Sequence, residues 1–210
     1  MYFKGFWVVL TLVCCLGCDA GSGKVVPGTS STPQASANVL PKVAHPEYAN
    51  WSQFKEKASI VRKRIVTNAN GSIVVTTKMW LDSKNANEVS VGSQVTVERP
   101  GEPAEKNDVN IVSYPATYSL PEGMDEARFL LPTAKAKETG TETVQVQGKN
   151  VETKIYEWEE NNEAGAMTVK LWHSNSIPGK IVRQEMFTKS SETKTLEEII
   201  ELVLEPSSGT

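Results

Sequence analysis

The chain has 210 residues, with 22 basic against 25 acidic side chains and a formal charge of −3. That mildly acidic balance, with no long basic block, excludes nucleic-acid binding, because phosphate backbones are held by a cationic field. All the cysteines, Cys14, Cys15 and Cys18, lie in the leader, so the body can form no disulfide framework, thiolate nucleophile or cysteine-ligated zinc site.

Lys4 is the lone positive charge ahead of a compact apolar run from Gly5 to Leu16. At ~1.5 Å per residue this run is too short for a permanent span of a ~30 Å hydrocarbon core, and it suits a signal peptide. Its end, Cys15-Leu16-Gly17-Cys18, resembles a bacterial lipobox, although Cys15 stands where that motif usually has an aliphatic residue. The resemblance implies diacylglycerol on the Cys18 sulfur, cleavage before it and acylation of the new N-terminus. Two or three acyl chains anchor stably, at ~0.8 kcal/mol per buried CH₂. Residues 1–18 are therefore expected to be a lipoprotein signal peptide. The body is expected to be exported, anchored at a cell-envelope membrane and facing the periplasm or the exterior. An ordinary secreted protein cleaved near Ala20 or Gly21 is the alternative.

Residues 19–44 are rich in Gly, Ser, Thr, Pro and Ala without an apolar period. Such a segment buries too little surface to offset its ordering entropy, so a flexible tether with a reach of roughly 25–30 Å is expected. The β-rich domain then covers residues 45–205, and 206–210 form a disordered tail. At its start Tyr48, Trp51 and Phe54 share a face at helical spacing behind Pro46. One short helix is predicted, its aromatics pinning the chain to the core.

From Ala58 onward the period becomes two. Ile73, Val75, Thr77, Met79 and Leu81 share one side of a run; Val89, Val91, Val95 and Val97 do so in the next; Met167, Val169 and Leu171 in a later one. One apolar and one wetter face mark an antiparallel sheet. Asn70-Gly71, Gly148-Lys149-Asn150, Asn161 to Gly165 and Ile177-Pro178-Gly179 supply the turns. The fold class is mainly β: a single domain, a curved antiparallel meander or open half-barrel with one short N-terminal helix. Arg99 to Gly140 holds five prolines, so one strand near Val109–Tyr114 and a long irregular excursion are expected, with Lys135 to Thr141 exposed and mobile. The run from Thr195 to Glu205 is ambiguous. Thr195 with Glu198 makes a capping box, yet Leu196, Ile200, Leu202 and Leu204 also fall on one side of a strand.

The lipobox leader, the tether, HPEYANWSQF, the GKNVETKIYEW hairpin and LWHSNSIPGKIVRQEM together resemble small predicted lipoproteins of planctomycete-type bacteria. That resemblance implies a location and a fold, but no reaction, and it implies a strand for Leu196–Leu204. The curved meander with a tryptophan strand before a Pro-Gly turn is also similar to the lipoprotein-carrier (LolA/LolB) architecture, an open barrel holding acyl chains.

Chemistry is sparse. His45 and His173 sit in different contexts, with no HExxH and no clustered carboxylates, so neither a metal nor a cofactor is expected. No GxSxG elbow accompanies His173 and Ser174, and no catalytic residue is assigned. His173 reads as a strand-end residue near solvent. Glu157 and Glu159 share a strand face and could pair as carboxylates, but a solvated hairpin end is the simpler reading. Arg62 and Arg64 share a face of the first strand, where a solvated outer face is weighed against contact with anionic headgroups. The leading expectation is a non-enzymatic, lipid-anchored envelope module that binds a partner protein or an apolar ligand. A carrier of a lipid or acyl chain is the alternative, with Trp80, Trp158 and Trp172 as candidate lining residues. A hydrolase with an unrecognised site is the third. A carrier requires an open apolar cavity of several hundred Å³, and a protein-binding module requires an exposed sheet edge or apolar patch.

Overall fold

Alternating apolar residues and polar turns fold the described residues into one large curved antiparallel sheet and a small two-stranded one. The computed structural model describes residues 42–120, 122–162 and 165–204. The leader with Cys18, the tether up to residue 41, residues 121, 163, 164 and 205, and the expected tail at 206–210 lie outside the described residues. Residues Lys42–Ala44, at the end of the expected tether, form strand β1. Helix α1 follows at Pro46–Trp51, with the His45 imidazole accepting the Glu47 N–H as its cap and proline at its start. Trp51 is fully buried against Leu81, Val89 and Val91, with Tyr48 and Phe54 packed beside it, so the expected aromatic pin is present. Burial of each such large apolar side chain stabilises by about 1.5–3 kcal/mol.

The long strands are β2 (Ser59–Asn68), β3 (Gly71–Lys84) and β4 (Glu88–Glu98). Short β5 (Glu105–Lys106) and β6 (Asn110–Pro115) both pair with β4, and β7 (Thr117–Ser119) pairs with β1. A second short helix, α2 (Glu126–Phe129), interrupts the proline-rich excursion; it was not expected. Strands β8 (Lys137–Val146), β9 (Lys149–Asn162), β10 (Gly165–His173), β11 (Ile181–Thr188) and β12 (Thr193–Val203) complete the chain. In the segment from Lys135 to Thr141 most side chains are exposed, as expected, but Ala136 is buried against Tyr156 and Leu171, and the backbone enters β8 at Lys137 and pairs with β9. The ambiguous C-terminal run is strand β12, because backbone pairing on both sides, with β2 and β11, outweighs its local capping box.

The main sheet runs β5-β4-β3-β2-β12-β11-β10-β9-β8 and does not close into a barrel. It curls enough for the β8–β9 turn to reach β12, four strands away: Val144, Val146 and Val151 pack with Ile60, Val182 and Leu202. Turn details differ from the sequence reading by one or two residues. Asn68 pairs with Gly71, so Ala69 and Asn70 form the first turn, and only Gly71 takes a positive φ, of 120°. The second turn is Gln147-Gly148, with φ of 49° and 76°, so both central residues are left-handed as a tight hairpin of matching twist requires.

Two buried polar groups tie the sheet to its loops. Asn50, at 2% exposure, donates to Ile177 O at 2.9 Å and accepts the Gly179 N–H at 2.7 Å, fixing the loop before β11. Arg62 donates to Gly179 O at 2.9 Å and sits 3.7 Å from Glu197. Glu197 also accepts from Arg64 Nε at 2.6 Å. The expected solvated arginine face is therefore corrected for Arg62. It is 8% exposed, because the buried Glu197 carboxylate compensates its charge. Burial lowers the Arg62 pKa, and Glu197 opposes that shift.

Candidate functional site

Cross-strand partners in an antiparallel sheet point to the same face, so the register shows which side chains meet. One row runs Ile65, Leu196, Glu185, Lys170, Glu157 and Lys137 across β2, β12, β11, β10, β9 and β8. The neighbouring row on the same face runs Thr67, Lys194, Phe187, Thr168 and Glu159. All of these residues line one cavity of about 1020 Å³, open to solvent. Apolar side chains gather at the β2–β12–β11 side, where Ile65, Leu196 and the 37% exposed Phe187 adjoin. Charged groups fill the β10–β9–β8 side.

The electrostatics of this wall are partly internal. Lys170 Nζ lies 3.3 Å from Glu157 Oε1, and Arg183 Nη2 lies 2.5 Å from Glu185 Oε1. Farther along the same strands, Lys170 and Arg183 stand 5.1 and 5.0 Å from the centroid of the Trp172 ring. Such cation–π contacts favour a cation over the ring face. The Trp172 Nε1–H donates to Glu142 Oε2 at 2.7 Å, satisfying the polar edge of a ring that is only 5% exposed.

The three tryptophans singled out from sequence are not brought together. Trp158 borders the cavity, while its side chain also packs against the cluster of Ala136, Tyr156 and Leu171. Trp172 and Trp80 are not among the lining residues. Trp80 lies on β3 directly across from Gly92 of β4, over the space where a side chain there would sit. Glu157 and Glu159 do share a face, and both line the cavity, although Glu157 is engaged by Lys170. Sequence reading missed Phe187, Leu196, Ile65 and Lys194 as a group. The signal was present only in their alternation with the core-facing residues of each strand.

A second, polar cavity of about 510 Å³ is lined by His173, Ser174, Glu142 and Lys154 among others. His173 is less solvated than expected for a strand end. Burial, seconded by Lys180, pushes its pKa down to about 4, and Tyr156 meets its ring edge-on at 5.9 Å. It is neutral at neutral pH. The Ser174 hydroxyl pairs with Ser176 Oγ at 2.9 Å. Among the described residues, no group of three or more His, Cys, Asp or Glu could hold a metal ion.

Neither a protein-family model nor a curated protein matches the chain. Among solved structures, it is similar to a candidate exported protein with a YmcC-like fold from Bacteroides fragilis, at 11% identity and a TM-score of 0.44, covering 71% of this chain and 97% of that one. It is similar to a candidate lipoprotein from Parabacteroides distasonis, at 12% identity and a TM-score of 0.40, covering 71% and 96%. It is also similar to a candidate outer membrane lipoprotein-sorting protein domain from Vibrio parahaemolyticus, at 7% identity and a TM-score of 0.27, covering 73% and 87%. Similarities of this size leave the site to be read from its own geometry.

Proposed function

We propose that the protein is a non-enzymatic module of the cell envelope, lipid-anchored through Cys18, that holds an apolar ligand against its curved sheet. One observation carries this reading: the open cavity of about 1020 Å³, with Ile65, Leu196 and Phe187 adjoining on its apolar side. Small-molecule sites combine such an apolar surface with a few polar groups, at volumes of about 300–1,000 Å³. The leader ending in Gly17-Cys18 supports the address, and the Gly/Ser/Pro-rich segment after it would lift the sheet clear of lipid headgroups. A carrier that takes up and releases an acyl chain would use the same cavity.

A second reading has its own observation. Strand β6 is paired on one side only among the described residues, and Ile111 and Val112 on it are 53% and 38% exposed. An exposed apolar edge is a template for strand addition by a partner protein.

The cavity reading is tested by native mass spectrometry of the body from Val43 to Glu205, expressed without its leader. Co-purified amphiphile, lost in Phe187→Asp with the melting temperature retained, is the expected result. A clean apo mass after gentle extraction overturns it. The anchor is tested separately by palmitate labelling, which Cys18→Ser should abolish.

A further inference from the structure

Resting on the reading of the cavity as an apolar-ligand site, we infer that its occupant is a single-chain amphiphile with an anionic headgroup. The inference comes from charge. Four lysines, Lys135, Lys137, Lys170 and Lys194, line the cavity against three glutamates, Glu157, Glu159 and Glu185. Several of these are already engaged. Lys170 pairs with Glu157 at 3.3 Å, and Glu185 pairs with Arg183, which is not a lining residue. Among the described residues, Lys135, Lys137 and Lys194 are left against Glu159 alone. Three ammoniums less one carboxylate leave a surplus of two positive charges. Low-dielectric walls focus such a surplus into the cleft they enclose.

The surplus sits beside the apolar surface. Lys194 stands directly across from Phe187, and it shares a strand face with Leu196 two residues on. An anionic headgroup at Lys194 can therefore lead a chain over Phe187, Leu196 and Ile65. Lys137, opposite Glu157 on the far wall, supplies a cation at the other side. The cationic lining is lysine only. Arg183 is held by Glu185, Glu198 and the Trp172 face, and Arg64 by Glu197. An ammonium meets carboxylate and phosphate alike as a point charge, so this lining selects for negative charge, and the narrow apolar side of Ile65, Leu196 and Phe187 suits one acyl chain.

The test uses the full-length protein in neutral phosphatidylcholine vesicles at mildly alkaline pH. The probes are diazirine-bearing palmitic acid, palmityl alcohol and phosphatidic acid. Photolabelling is read by mass spectrometry on the peptides carrying Phe187 and Leu196. Palmitic acid is expected to label these roughly tenfold more than the alcohol, the worth of one charge-assisted contact. The combined Lys137→Gln and Lys194→Gln variant should erase that preference. Equal labelling by acid and alcohol overturns the headgroup inference while the cavity still binds apolar chains. Stronger labelling by phosphatidic acid, which carries two chains, overturns the single-chain assignment. No labelling of either peptide by any probe overturns the apolar-ligand reading itself.

Discussion

The side chain of Gln147 completes the hydrogen bonding of Leu202: its Oε1 accepts the Leu202 N–H at 3.1 Å, while its Nε2 donates to Ile200 O at 3.3 Å. Here β12 departs from regular pairing with β2, between Ile199 and Glu201. A side-chain amide from the β8–β9 turn thus supplies what a neighbouring strand would supply. The contact ties the β8–β9 turn to β12, whose other end carries the cavity residues Lys194 and Leu196.

Gln147→Gly separates that contact from turn geometry, because Gly adopts the φ of 49° without strain. The variant is expected to lose about 1–3 kcal/mol, the cost of leaving partly buried backbone groups unpaired. Urea unfolding checks it. An unchanged midpoint would show that the hairpin tip does not depend on the amide.

Glu197→Gln removes the charge shared by Arg62 and Arg64. Arg62 Nε already lacks a hydrogen-bond partner among the described residues, so little else compensates the buried guanidinium. The expected loss is about 3–5 kcal/mol, at roughly 2–4 °C of melting temperature per kcal/mol. Replacing the pair together, Arg62→Met with Glu197→Leu, should cost less than Glu197→Gln alone. Calorimetry of the two variants decides the order.

Gly92→Ala places a methyl group inside the space of the Trp80 ring, directly across the β3–β4 pair. The ring must swing out, at about 1–3 kcal/mol. Near-ultraviolet circular dichroism should report the displaced indole, and Trp80→Leu in the Gly92→Ala background should recover part of the stability.

His173 gives a pH dependence of definite sign. Its folded pKa of about 4 lies below the ordinary value near 6.5, so the unfolded chain binds the proton more readily. Its contribution is fully present above about pH 6.5 and is lost as the pH falls towards 4. The loss is at most about 3 kcal/mol, reduced by screening because the ring is partly exposed. Stability measured across this window should fall with acid, and His173→Gln should flatten the slope. A histidine titrating near its ordinary value by NMR would contradict the account.

Much of the sheet was legible because half-buried strands write their two faces into alternate residues. Val89 and Val91 alternate with Ser90 and are buried as expected, and Val169 and Leu171 behave alike. The aromatic start of α1 was legible for the same local reason. What the sequence hid are contacts between distant residues. Asn50 bonds to Ile177, Gln147 to Leu202 and Arg64 to Glu197, and nothing in the flanking residues marks any of these pairs. The cavity was hidden likewise. Its apolar side takes one or two residues from each of β2, β11 and β12, and in each strand these read as ordinary outward positions. The position of β12 was the hardest case, since only its two neighbours decide between strand and helix.

That position shapes how the molecule can be made. Strand β12 lies in the interior of the sheet, joining β2, far earlier in the sequence, to β11, which directly precedes it. Until Thr193–Val203 pair, β2 and β11 would each present a long raw edge. Those edges are the natural places for a holding chaperone, and a chain truncated before Thr193 should aggregate through them.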